Sequence, residues 1–283
     1  MRLVMFSKHL QELSIVEAAK AAAAIGFAGL DLTVRPAGHI TPENARAQLP
    51  QAKRALADLG LDLPMVTTGI TEVDSPHARD ILETARALGI PNLKLGYWTY
   101  RPFGTFREQL DDAQRKLDGL ERLAREIGVR VCIHTHSGNY LSAEETVVWL
   151  MLRDRDPAAV GAYIDPGHMT LEGGSGGWRQ GIDLVQDYLV MMAVKSFGWF
   201  REEDPETGEA RWSTRLVPLK QGIVKWREVL SCLKQLDFDG TVSFHSEYQG
   251  RSSWRDLNLE QLLAQTAEDL HYMQPLFREA GLA

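Results

Sequence analysis

Cysteine is almost missing: the chain of 283 residues has two, Cys132 and Cys232. Both stand in apolar contexts, which points to reduced structural thiols rather than a disulfide or a metal pair. Positive charge is not in excess. Lys and Arg number 31 against 38 Asp and Glu, a formal charge of −7. That is the wrong sign for a binder of phosphate backbones, so no nucleic-acid partner is expected. No apolar run approaches the ~20 residues that span a bilayer, and the opening MRLVMFSKHLQ is too short and too soon charged for a signal peptide. The expectation is a cytoplasmic protein with no membrane partner. No GxGxxG follows the first candidate strand, and the stretch Glu172-GGSGG-Trp178 lacks the lysine of a phosphate loop. No nucleotide cofactor is expected, and that stretch reads as a flexible loop over a site. Linkers and charge runs are also absent, so residues 1–283 read as one domain.

What is present is a repeated unit: a helical stretch, a glycine, then a short apolar run. GFAGLDLTV (26–34), LGLDLPMVTT (59–68), LGIPNLKLGYW (88–98), IGVRVCIHTH (127–136) and FDGTVSFHSEY (238–248) fit it. LVMFSK (3–8), VGAYIDPGH (160–168) and YLVMMAVKSF (188–197) bring the candidate strands to eight. Between them, Ser14-Ile-Val-Glu17 and Ser142-Ala-Glu-Glu145 read as capping boxes. Thr41-Pro42 and Ser75-Pro76 read as caps before a first-turn proline, and residues 105–127 carry apolar positions three or four apart. Strands alternating with helices predict parallel pairing and a (β/α)8 TIM barrel. The polar stretch within 198–216 predicts a hairpin insertion that walls a pocket or serves a subunit contact. A homo-oligomer is therefore left open.

In a barrel, chemistry belongs at the C-terminal strand ends. Each run here turns polar there: Lys8 and His9; Asp31, Thr33 and Arg35; Thr67 and Thr68; Lys94; His134 and His136; Asp165 and His168; Lys195; His245 and Glu247. Period-two alternation puts His134 and His136 on one face. Packing does not explain so much polarity at one end, so the rim is expected to be an active or ligand site. Lys195 either binds an oxyanion or pairs with Asp165 or Glu247. Arg35 either forks onto a carboxylate or phosphate, or pairs with Asp31 or Glu72. Lys8 and Lys94 add positive charge to the cavity or reach solvent. Trp98, Trp199, Trp212 and Trp254 suit sugar stacking or plain loop packing.

Asp165-Pro-Gly-His168 after an apolar strand resembles the D-x-G-H signature of xylose-isomerase-like sugar isomerases and epimerases. Ala193-Val-Lys195 keeps the lysine of their strand-seven H-x-K, and Val217-Pro-Leu-Lys-Gln-Gly-Ile-Val-Lys-Trp226 is similar to the run that leads into their last helix. The resemblance implies a small carbohydrate substrate and proton transfer next to the carbonyl of a keto sugar. It also implies substrate contact by His168 and a divalent metal (Mn, Zn, Fe or Mg) held by Glu, Asp, His and Glu on strands five to eight. Those places here hold His134, Asp165, Ala193 and His245. Two readings stay open. His134, Asp165 and His245 bind a metal, helped by Glu247 or His136, or the histidines act as acids, bases and hydrogen-bond donors. Glu247, His134, His245 and Lys195 are the catalytic candidates. Lys8, Arg35, Lys94, His136 and His168 are the substrate-binding ones. A lyase or hydrolase working through the same enolate and a non-catalytic sugar-binding barrel are the alternatives.

Overall fold

A computed structural model describes residues 1–282. The eight apolar runs become eight strands: β1 (Arg2–Phe6), β2 (Gly29–Val34), β3 (Asp62–Thr68), β4 (Asn92–Lys94), β5 (Arg130–His134), β6 (Val160–Ile164), β7 (Leu189–Val194) and β10 (Thr241–Phe244). They pair in parallel around a closed barrel in the order β1-β10-β7-β6-β5-β4-β3-β2. The expected (β/α)8 barrel is the observed architecture.

Alternation explains why nearly every strand residue is apolar. Outward side chains such as Leu32, Val66, Leu93, Ile133 and Ile164 join the core under the helices. Inward ones, Met65, Cys132, Tyr163, Met191 and Ala193, form a separate cluster inside the barrel. Emptying an outer position, as in Leu93→Ala, costs about 2–5 kcal/mol. Cys132 is sealed in the inner cluster, where burial pushes its thiol up to about 12, and both cysteines are free thiols.

The helices are α1 (Ile15–Ile25), α2 (Ala45–Ala57), α3 (Ala78–Ala87), α4 (Phe106–Ile127), α5 (Glu145–Leu152), α6 (Pro166–Gly173), α7 (Gly177–Val185), α8 (Trp226–Gln235) and α9 (Leu259–Glu279). The Ser14–Glu17 capping box forms with both of its bonds. The one expected at Ser142 does not. The Ser142 carbonyl accepts from the His136 amide, so this segment is tied to the tip of β5 and α5 starts at Glu145. Ser75 likewise caps no helix, because its hydroxyl accepts the amides of Thr71 and Glu72 instead. At Thr41-Pro42, a 3-10 turn over Pro42–Asn44 precedes α2 and the Thr41 side chain makes no cap bond. Among the described residues no helix is long and apolar enough to cross a membrane.

The glycine-rich stretch is not a flexible loop. Residues 174–176 form a short bend between α6 and α7, and Trp178 anchors it with its ring 1% exposed. The polar insertion is a hairpin as expected, with β8 (Ser196–Glu203) antiparallel to β9 (Ala210–Val217). It leaves Trp199 and Trp212 exposed.

Candidate active site

The D-x-G-H turn at the end of β6 has a plain structural logic. Asp165 caps α6, its Oδ1 accepting the amides of Gly167 at 3.0 Å and His168 at 3.2 Å. Pro166 takes the first helical position, where no amide donor is needed. Residue 167 must be glycine, because a Cβ there would sit 2.7 Å from the Lys195 carbonyl oxygen. With Oδ1 committed, the free Oδ2 of Asp165 points into the mouth of the barrel.

Around Oδ2 the predicted residues gather. Lys195 Nζ lies 3.1 Å from it, His134 Nε2 3.4 Å and His168 Nε2 3.7 Å. Lys195 Nζ is also 3.6 Å from Glu247 Oε2, and Glu247 pairs with Lys8 as well. The alternative that Lys195 pairs with Asp165 or Glu247 is therefore met on both counts. Burial opposes the lysine's charge, yet Asp165 and Glu247 outweigh it and hold its pKa above the usual value. Burial likewise opposes the Glu247 charge, but Lys195 and then Lys8 hold its carboxyl down at about 2.

The histidines are the opposite case. Burial first, and Lys195 second, push His134, His168 and His245 well below the usual imidazole value, and bring His136 to about 4. All four are neutral at pH 7. Each is oriented by a partner. His134 Nδ1 takes the Tyr97 hydroxyl at 2.7 Å, His168 Nδ1 meets Ser137 Oγ at 2.7 Å, and His136 Nδ1 donates to the Ser137 carbonyl at 2.9 Å. His245 stacks on Phe6 with ring centroids 4.2 Å apart. Its Nε2 lies 2.9 Å from the Tyr163 hydroxyl, which donates in turn to Asp31 Oδ2 at 3.5 Å. In that arrangement His245 Nε2 carries the ring proton, and Nδ1, 3.9 Å from Glu247 Oε2, is the free acceptor. Asp31 is further held by the Thr67 hydroxyl at 2.8 Å and the Ser243 hydroxyl at 2.9 Å.

Lys94 is buried with its ammonium 3.4 Å from the centre of the Tyr97 ring. Among the described residues neither Lys94 nor Arg35 has a carboxylate within ion-pair distance, so the expected alternative pairing of Arg35 with Asp31 or Glu72 is not made. Burial and then the charge of nearby Arg35 press the Lys94 pKa well down. Lys8 sits at the exposed edge. His39 has a structural role, bonding Thr33 and the Leu10 carbonyl. Two contributors outside the predicted rim are Tyr97 and Tyr163, and Asp31, a rim residue with no assigned role, anchors Tyr163. Period-two alternation along β6 puts Tyr163 on the face of Asp165, a signal that an aromatic inside an apolar run conceals.

The predicted metal set does not assemble. His134 reaches Asp165, but His245 turns Nε2 to Tyr163 and Nδ1 to Glu247. Among the described residues no three His, Cys, Asp or Glu side chains are placed to hold an ion. A divalent ion needs donors at about 2.0–2.2 Å, and the space that Asp165 and Glu247 share is filled by the Lys195 ammonium. These residues do not fit the implied metal as they stand.

A closed parallel barrel with polar side chains gathered at its C-terminal strand ends is the TIM-barrel architecture. A family profile described as xylose isomerase-like TIM barrel matches residues 19–276, and the chain belongs to that family. No curated protein matches it. Solved structures share the fold at low identity. D-psicose 3-epimerase from Clostridium cellulolyticum H10, with D-tagatose, is 18% identical with TM-score 0.73, covering 98% of this chain and 99% of its own. 3-Keto-D-glucoside 4-epimerase from E. coli is 13% identical with TM-score 0.70, covering 97% and 99%. A xylose isomerase-like barrel from Mycobacterium smegmatis, in complex with magnesium, is 16% identical with TM-score 0.68, covering 100% and 98%.

Proposed function

We propose that the chain is a sugar isomerase or epimerase that moves a proton on the carbon next to the carbonyl of a keto sugar. One observation carries this reading: neutral imidazoles, His134 and His245, with ring centroids 5.7 Å apart, stand beside a buried ammonium that two carboxylates keep charged. His245 Nδ1 is the free base for the proton. The Lys195 ammonium and the ring N–H of His134 face the oxygen on which enolate charge grows. Return of the proton to the neighbouring carbon gives an isomer, and return from the other face gives an epimer. Glu247 is engaged in ion pairs with Lys8 and Lys195 and holds both in place. His136 and His168 line the mouth as hydrogen-bonding groups for sugar hydroxyls. Arg35, a cation without a carboxylate partner, favours a keto sugar that carries a carboxylate or phosphate.

A panel of ketoses, keto-glycosides and their acid or phosphate forms, followed by NMR, tests the reading. New epimer or isomer signals support it. An unsaturated product of β-elimination moves the assignment to the lyase built on the same enolate. Binding without turnover across the panel overturns catalysis in favour of a sugar-binding barrel.

A further inference from the structure

We propose that the Lys195 ammonium is a built-in monovalent replacement for a divalent ion, and that it keeps divalent metals out of this barrel. The proposal rests on where the ammonium sits, and only its catalytic half depends on the reading above.

The ammonium lies 3.1 Å from Asp165 Oδ2 and 3.6 Å from Glu247 Oε2. Two carboxylates from different strand ends thus close on a single cation, an arrangement a metal ion otherwise requires. Lys195 is 3% exposed, and its backbone is fixed by the close approach of Gly167 to its carbonyl. The charge is therefore held in one place. Residue 193, two positions earlier on the same face of β7, is Ala193, a methyl in the inner cluster with Tyr163. It offers no ligand at the place where the resemblance puts a metal-holding histidine, so Lys195 is the group from the end of β7 that meets the two carboxylates.

Beside the ammonium, His134 Nε2 and His168 Nε2 lack a hydrogen-bond partner, and Asp165 Oδ2 has the ion pair with Lys195. Two imidazole nitrogens and one carboxylate oxygen are donor types that suit Zn²⁺, Co²⁺ or Fe²⁺, though with Lys195 in place they are not set to hold an ion. A metal there is opposed by the positive charge beside Oδ2, because a second cation at a buried carboxylate oxygen is repelled by the first. Removing that charge should turn a metal-excluding site into a metal-accepting one. In the intact protein the ammonium supplies the electrostatic part of what a metal would do, facing the enolate oxygen with no change in protonation.

Equilibrium binding of Co²⁺, read by its visible absorption and by calorimetry, tests the proposal on wild type, Lys195→Ala and Lys195→Met. The methionine variant keeps the side-chain volume, and circular dichroism checks that both variants are folded. Purified wild type, analysed for metal and then titrated, should hold no stoichiometric ion. At least one folded variant should bind a single Co²⁺ about 100-fold more tightly. His134→Asn added to that variant should abolish the gain. A stoichiometric ion in wild type, or folded variants that bind Co²⁺ no better, overturns the proposal. Because these readouts need no substrate, they separate failure here from failure of the proposed reaction. A wild type that is free of metal yet inactive on every keto sugar would sink only the latter.

Discussion

Replacing Lys195 by methionine removes one charge and little volume, so its effect on stability isolates the ion pairs at the barrel mouth. Glu247 falls from 4.5 to about 2 under the pull of Lys195 and Lys8, after burial has opposed the shift. At 1.36 kcal/mol per unit that is about 3 kcal/mol of native-state stabilisation, shared between the two cations. Asp165, wholly buried, loses its closest cation as well. Breaking a buried pair on one side costs about 3–5 kcal/mol, so Lys195→Met should cost about 3 kcal/mol at pH 7. For a chain of this size, that is a fall of roughly 6 °C in Tm. The pH dependence is the sharper test. A carboxylate with a depressed folded pKa contributes its stability above the unfolded value of 4.5 and loses it as pH falls toward about 2. The gap between wild type and variant should be full at pH 7 and close below pH 4.5. Lys195, with a raised pKa, contributes below its unfolded value of 10.5, so the gap should also narrow in strong alkali. Denaturant melts across pH 3–8 decide the matter. A gap that stays constant down to pH 3 would mean the loss is one of packing, and the ion-pair reasoning would be wrong.

Further outcomes follow from the same contacts. Tyr163→Phe removes the hydroxyl 2.9 Å from His245 Nε2. It should lower kcat about 10- to 100-fold with little change in KM, the equivalent of ~1–3 kcal/mol, and an unchanged kcat would show that Tyr163 does not orient His245. Glu145 is buried, its Oε1 is unpartnered, and burial raises its pKa to about 8. A raised pKa means stability that is present below 4.5 and is lost as pH climbs to 8, so Glu145→Gln should stabilise the protein at pH 8, by on the order of 2–4 kcal/mol, and leave it unchanged at pH 4. Equal melting curves for the two proteins at pH 8 would show that the carboxyl is not forced neutral. Arg35→Ala should raise KM more than about tenfold for anionic keto sugars and little for neutral ones; equal effects on both would refute an anion-binding role. Acid should weaken the fold below pH 6.5, because His136 is held at about 4 by burial and then Lys195, and unfolded histidine takes up the proton more readily. His136→Asn should flatten that limb in a pH series of melts.

The barrel was readable because its signals are local. Eight apolar runs, each turning polar at its C-terminal end, need only alternation and, before five of them, a glycine to be seen. Asp165 and Gly167 were readable for the same reason, since a cap and a close backbone approach are written within four residues. Side-chain direction is not local. His245 looked like a metal ligand by position, yet a tyrosine 82 residues away takes its Nε2. Tyr163 and Tyr97 gave no signal, because the sequence shows a ring and hides which atom its hydroxyl reaches. Glycine content suggested a loop at 172–178, while the segment is helical on both sides of a three-residue bend and Trp178 is buried. Lys195 left two readings open until its distances to both carboxylates were known.

Solvent exchange reads the proposed chemistry at its first step. Wild type and His245→Asn, both stripped with chelator, are incubated with the responsive keto sugar in D2O and followed by proton NMR. Loss of the proton signal next to the carbonyl with wild type, and at least a hundredfold slower loss with His245→Asn, is the predicted result. Exchange that survives unchanged in the variant, or that wild type shows only after a divalent metal is restored, would contradict a reaction run by imidazole and ammonium.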